Sequence, residues 1–273
     1  MMTQKGETMI MMLHSILLLG QSNMGGRGDP AEVEPIPNED GTIVVFRNGR
    51  WRKMYTPVNP DRVASGVNLA ESFADRYRAD HPEVDRVCLI GCADGGSHLS
   101  QWKKGMMLYD YAVACAKLAQ RTSNIVAVLW HQGESDCTEE RLPLYEKRFL
   151  QFKSDLYHDL GLADIPFIVG GLGDFLAQRV KKDGTIPSSS YLYPRMNEVL
   201  QKIAAEQPLM GFVPATGLTD KGDNLHFGAK SLREFGLRYY DVFRTLEDRT
   251  RVWQDKPSIE ELEGAAESEI AEL

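Results

Sequence analysis

Four short stretches of this 273-residue chain bring together the residue types that chemistry uses. The first, Gly20-Gln21-Ser22-Asn23-Met24-Gly25-Gly26-Arg27-Gly28, sets a serine among polar side chains and glycines. Ser22 belongs at a strand end or helix start, where a backbone N–H can face a developing negative charge. An ordinary helix N-cap serine fits the same position. The second runs from Gly91-Cys92-Ala93-Asp94 through Gly95-Gly96-Ser97 to Trp102. Paired glycines let a backbone approach a ligand or point an N–H into a cavity, and they also serve a plain tight turn. In the third, Trp130-His131-Gln132-Gly133-Glu134-Ser135-Asp136, the Gln132 amide can donate a hydrogen bond and Glu134 can accept one. Polar groups directly behind a buried strand need partners, unless the stretch is a surface loop. The fourth, Asp223-Asn224-Leu225-His226, places an acid three residues ahead of a histidine. Within one turn that carboxylate can reach Nδ1 and leave Nε2 facing outward, as a general base requires. A helix-entry Asp beside a surface His is the plainer alternative. A serine, a glycine pair, an amide and an Asp-x-x-His together fill every role in acyl transfer. The glycine-rich first stretch has neither G-x-x-x-x-G-K-[ST] nor a clean G-x-G-x-x-G spacing, so nucleotide phosphates are not its expected ligand.

The elements around these stretches explain their positions. Apolar, β-branched runs at residues 9–19, 43–46, 86–90, 125–130, 167–169 and 211–214 read as strands. Helical patterns occupy residues 66–79, 108–120, 142–160, 191–206 and 229–246. The alternation predicts an α/β three-layer sandwich, a central parallel sheet of about five strands with helices on both faces. In such a sheet a ligand sits at the carboxyl ends of the strands, which is where the first three stretches fall. The fourth precedes the last helix. Without an internal repeat or a Pro/Gly/Ser linker, residues 1–255 read as one domain, and residues 256–273 as an acidic tail. Residues 29–61, rich in Pro, Asn and Arg, read as a long surface excursion close to the site.

Composition narrows the function. The 31 Lys and Arg against 39 Asp and Glu leave a formal charge of −8, which repels phosphate backbones and anionic lipid, so neither nucleic acid nor membrane is an expected partner. The four cysteines Cys88, Cys92, Cys115 and Cys137 show no zinc-like spacing, and a core this large needs no disulfides. Reduced thiols in the cytoplasm are the expectation. The apolar run at 9–19 is about as long as a signal h-region but has no small-residue cleavage site and leads straight into Ser22. It is read as a buried first strand, with the Met-rich start pointing to an uncertain initiation codon.

The combination Gly20–Met24, Gly95–Ser97 with Trp102, Trp130–Asp136 and Asp223–His226 resembles the SGNH-hydrolase superfamily. Within it, the pattern is similar to the branch of sialate O-acetylesterases and family-six carbohydrate esterases, including bacterial acetylxylan esterase-related proteins. The resemblance spans residues 17–246 and implies an SGNH, flavodoxin-like fold. It implies Ser22 as nucleophile, His226 as general base and Asp223 as the acid that orients it, with Glu134 as an alternative or additional acid. The oxyanion hole it implies consists of the Ser22 N–H, the Gly96 N–H and the Gln132 side chain. Here Gln132 stands where the wider superfamily has Asn, and Gln21-Ser22 where it usually has Asp-Ser. Gln21, Asn23, Arg27 and Trp102 are expected to contact the sugar, and Trp51 is a further stacking candidate. The implied reaction removes O-acetyl groups from carbohydrates, xylo-oligosaccharides first, with no cofactor and no metal. O-acetyl sialate as substrate, or a non-catalytic carbohydrate-binding protein on the same fold, are the alternatives.

Overall fold

The computed structural model describes residues 11–258 and 261–262. Its centre is β1 (Leu13–Gly20), every residue of which is buried. Along β1 the pleat sends Ile16 and Leu18 to one face of the sheet and Leu17 and Leu19 to the other, each into its own apolar core. Burying one such side chain stabilises the fold by about 1.5–3 kcal/mol relative to leaving it in water. A strand apolar on both faces can lie only at the centre of a helix-covered sheet.

The remaining strands are β2 (Ile43–Arg47), β3 (Arg50–Lys53), β4 (Arg86–Gly91), β5 (Asn124–His131), β6 (Phe167–Gly170) and β7 (Met210–Val213). They assemble in the order β3-β2-β4-β1-β5-β6-β7. All pairings are parallel except β2 with β3. From β1 the chain builds one half of the sheet, then crosses to the other, so a crevice opens at the carboxyl end of β1 between the loops after β4 and β5.

The four-residue helix α1 (Ser22–Gly25) follows β1 directly. Helices α2 (Leu69–Asp80) and α6 (Ala229–Leu246) bury Phe73, Tyr77, Phe235 and Tyr239 on one face. Helices α3 (Met107–Ala119), α4 (Tyr145–Leu160) and α5 (Ser189–Glu206) cover the other with Tyr109, Phe149, Phe152 and Met196. The predicted start of α2 at residue 66 moves to Leu69 because Asn68 caps the helix. Its Oδ1 accepts from Ala70 N at 2.7 Å, while Glu71 Oε1 accepts from Asn68 N at 2.9 Å.

The sheet has seven strands instead of about five. The unforeseen member, β3, lies inside the supposed surface excursion as an edge hairpin with β2. Asn48 and Gly49 close it at φ of 50° and 75°, the pair favoured in a two-residue hairpin turn. Arg50, Arg52 and Lys53 charge this outer edge, which discourages pairing with other chains. Strand β1 begins at Leu13. Residues 9–10 of the predicted strand lie outside the described residues, as does most of the acidic tail. Cys88, Cys92, Cys115 and Cys137 are free thiols. Among the described residues no helix is long and apolar enough to cross a membrane, and no cluster of three His, Cys, Asp or Glu side chains could hold a metal ion.

Candidate active site

Ser22 opens α1 directly behind β1, and the backbone there is fixed from both sides. Gln21 N donates to His131 O of β5 at 2.9 Å, and Asp94 N donates to Gly20 O at 3.0 Å. The serine therefore stands between the loop after β4 and the loop after β5. His226 arrives from the turn before α6, and its Nε2 lies 3.0 Å from Ser22 Oγ. On the far side of the ring, Nδ1 lies 2.7 Å from Asp223 Oδ2. Asp223 Oδ1 accepts from His226 N at 2.8 Å and Leu225 N at 2.9 Å, so backbone donors aim the carboxylate before the ring does. Partial burial pushes the Asp223 carboxyl up, but the bonds from the His226 ring and backbone outweigh it and hold it below the usual carboxylate range. The carboxylate faces Nδ1 as an anion, which favours a proton there and leaves Nε2 to accept one from Ser22.

Glu134 does not approach the ring. Its Oε1 accepts from Asn23 Nδ2 at 2.6 Å, inside the protein. Asn23, only 1% exposed, binds the histidine loop on both sides of His226. Its Nδ2 donates to Leu225 O at 3.1 Å and its Oδ1 accepts from Phe227 N at 3.1 Å. The expectation that Asn23 touches sugar is thus corrected: its amide is used up tying the Ser22 helix to the His226 loop. Glu134 supports that tie. His131, 3.8 Å from Glu134 Oε1, does not form a charged pair with it, because burial pushes the imidazole pKa down despite the nearby carboxylate.

Gln132 is fully buried. Its Nε2 faces Asp136 Oδ2 at 2.6 Å, Ser97 O at 3.2 Å and Gln21 Oε1 at 3.3 Å, and its Oε1 accepts from Tyr145 OH at 3.0 Å. An amide so engaged turns inward in this structure, against the expectation that it faces a substrate oxygen. Gln21 instead lines the cavity, with Oε1 also accepting from Ser135 N at 3.3 Å.

The cavity over Ser22 has a volume of about 460 Å³, and Gly95, Gly96, Arg27, Glu134, Leu225 and His226 contribute to its walls. Trp102 is not among them. It is wholly buried, edge-on to Trp130 at 5.4 Å, and donates from Nε1 to Ser97 Oγ at 3.1 Å. It steadies the loop after β4 from behind instead of stacking on a sugar. Trp51 lies on the edge strand β3, away from the cavity, with Nε1 donating to Thr122 Oγ1 at 2.9 Å. Residues not foreseen at the site include Arg62, Arg141, Arg179 and Lys181 in the cavity wall. Single basic residues on irregular loops carry no spacing signal, so sequence alone offered no way to gather them. In the sequence Asn59 and Asp61 belong only to the excursion at residues 29–61.

A serine, histidine and aspartate within hydrogen-bond reach at the carboxyl end of a parallel sheet form an arrangement capable of acyl transfer. A profile described as carbohydrate esterase, sialic acid-specific acetylesterase matches residues 12–245. The chain belongs to that family, a branch of the SGNH hydrolases, and is a carbohydrate O-acetylesterase. A probable carbohydrate esterase of Arabidopsis thaliana is 26% identical over 246 residues, 81% of this chain and 86% of that protein. The Arabidopsis crystal structure superposes with a TM-score of 0.69 at 25% identity, over 85% of this chain and 98% of that one. A carbohydrate acetylesterase from Xanthomonas citri matches at 17% identity and TM-score 0.60, over 86% of this chain and 56% of that one. NanS matches at 14% identity and TM-score 0.64, over 86% of this chain and 98% of that one. These last two show likeness of fold alone.

Proposed function

We propose that Ser22, His226 and Asp223 remove acetyl groups from carbohydrate hydroxyls through an acetyl-enzyme. The unbroken line Asp223 Oδ2–His226–Ser22 Oγ, with steps of 2.7 and 3.0 Å, carries this reading. Ser22 Oγ attacks the ester carbonyl while Nε2 takes its proton, and the sugar alcohol leaves with that proton. Water then attacks the acetyl group with the same base, and acetate departs as Ser22 regains its hydrogen. The Ser22 and Gly96 N–H groups hold the oxyanion, each contributing about 3 kcal/mol in the transition state. Gln132 stiffens this wall by gripping Gln21, Ser97 O and Asp136. The assembled triad argues against a binding protein that has lost its chemistry.

Acetylated xylo-oligosaccharides are the first substrate we propose. One observation favours the second reading, an acetylated sugar that bears a carboxylate, such as O-acetyl sialate. Arg62, Arg141, Arg179 and Lys181 face the cavity in a chain whose formal charge is −8, so cations are concentrated where the substrate enters. Acetate release from the two substrates at matched concentrations decides between them. Faster turnover of the neutral oligosaccharide at low salt, with no salt effect on KM, supports xylo-oligosaccharides. A KM for O-acetyl sialate that rises steeply with salt supports the acidic sugar. We further propose a cytoplasmic setting acting on short, imported sugars, in keeping with four thiols; native protein recovered from the culture medium overturns it.

A further inference from the structure

The loop that carries Gly96 is gripped by a segment more than thirty residues earlier in the chain. Asn59 pairs with both backbone groups of Ala93, its Oδ1 accepting from N and its Nδ2 donating to O, each at 2.9 Å. Asp61 Oδ2 accepts from Gly95 N at 2.8 Å. Arg62 Nη2 donates to Gly95 O at 3.1 Å, and its Nη1 meets Asp94 Oδ1 at 3.1 Å. Gly95 O and Gly96 N–H belong to one planar trans peptide and point in opposite directions. Whatever holds the carbonyl therefore aims the N–H.

Behind this grip, Arg27 forks onto Asp61, Nη1 to Oδ1 at 3.0 Å and Nη2 to Oδ2 at 2.6 Å, with both side chains about 5% exposed. The pair is wedged between the nucleophile helix and the Gly96 loop. A Cβ on Gly95 would stand 2.6 Å from Arg27 Nη2 and 3.0 Å from Asp61 Oδ2, and one on Gly25 would stand 2.9 Å from Asp61 Oδ1. Both glycines leave room for the ion pair, so the spacing between helix and loop is set by it.

We propose that Asp61 and Arg62 are positioning residues that clamp the Gly95–Gly96 turn and aim the Gly96 N–H at the substrate carbonyl oxygen, with Arg27 bracing Asp61. The clamp rests on the acyl-transfer reading above, in which the Gly96 N–H stabilises the oxyanion. Its signature is a loss of kcat with little change in KM, because an oxyanion donor acts only when the tetrahedral centre forms.

The test uses para-nitrophenyl acetate, a neutral ester with no sugar for the arginines to bind. The double variant Arg27→Met/Asp61→Leu removes the clamp without leaving either charge buried alone. Its kcat should fall by about 100-fold while KM stays within about threefold. Asp61→Asn, which keeps an oxygen for Gly95 N–H, should retain kcat within about tenfold, and Arg62→Ala should lose about tenfold. Circular dichroism melts confirm that each variant is folded; if the double variant is not, Arg62→Ala decides, with Asp61→Asn as the conservative control. Wild-type kcat in the folded double variant or in Arg62→Ala, or a loss expressed in KM, overturns the clamp. Ser22→Ala is measured alongside. If it retains turnover, the acyl-transfer reading itself has failed, whereas a dead Ser22→Ala beside fully active clamp variants discards the clamp alone.

Discussion

Two loops meet at Ser22, and they are built in opposite ways. The His226 loop places its acid and its base by bonds within itself, and Asn23 ties it to α1. Asp220 Oδ2 accepts from Gly222 N at 2.8 Å and Asn224 N at 2.6 Å, Lys221 N donates to His226 O at 2.9 Å, and Asp223 reaches its histidine three residues on. The loop after β4 is instead held by its surroundings, through Asn59, Asp61 and Arg62. A general base and its acid can be placed by one turn of chain, since closing so short a loop costs little entropy. Aiming a peptide N–H requires rigid neighbours on several sides, and these come from distant sequence.

That contrast ranks the expected effects. Ser22→Ala removes the group both loops serve, and kcat in an acetyl-ester assay should fall by about 10³-fold or more with the melting temperature little changed. Asp223→Asn breaks the base loop at its acid, and kcat should drop by about 10²-fold or more. Because the Asp223 carboxyl is held below its ordinary range, it is ionised across the neutral region, and the variant loses that anion throughout. Its folded-state pKa is depressed, so its contribution to stability is present above the unfolded value of 3.8 and is lost as pH falls through the folded one. The difference in melting temperature between wild type and Asp223→Asn should therefore close only in acid.

Asn23→Ala attacks the tie between the two regions. It frees Leu225 O, Phe227 N and the buried Glu134 carboxylate together, and chemical denaturation should show a loss of about 1–3 kcal/mol alongside roughly tenfold lower kcat. Glu134→Gln keeps an oxygen to accept from Asn23, so its kcat should stay within about threefold at every pH. If the pH profiles instead show Glu134→Gln as the more damaging change and Asp223→Asn as nearly silent, the acid has been misassigned and does not come from the loop that carries His226.

The same contrast explains what could be read from the chain. The parallel α/β order was visible because β1, β4 and β5 are apolar on both faces, and Asp-x-x-His was visible because its partners are neighbours. The edge hairpin was missed although Asn48-Gly49 marked it, since Arg50, Trp51, Arg52 and Lys53 do not read as an apolar strand. Trp102 and Asn23 were drawn toward the sugar by their chemistry, yet burial gave both a structural role. The clamp at Asp61 left no trace, because its partners Arg27 and Gly95 lie 34 residues away on either side.

In the proposed reaction the acetyl group passes through Ser22. Rapid acid quench during turnover of an acetyl ester, followed by mass spectrometry of the intact protein and its peptides, tests it directly. One added acetyl group is expected, located on Ser22 and absent from Ser22→Ala. Acetate release with no adduct, or an adduct on another residue, would contradict it.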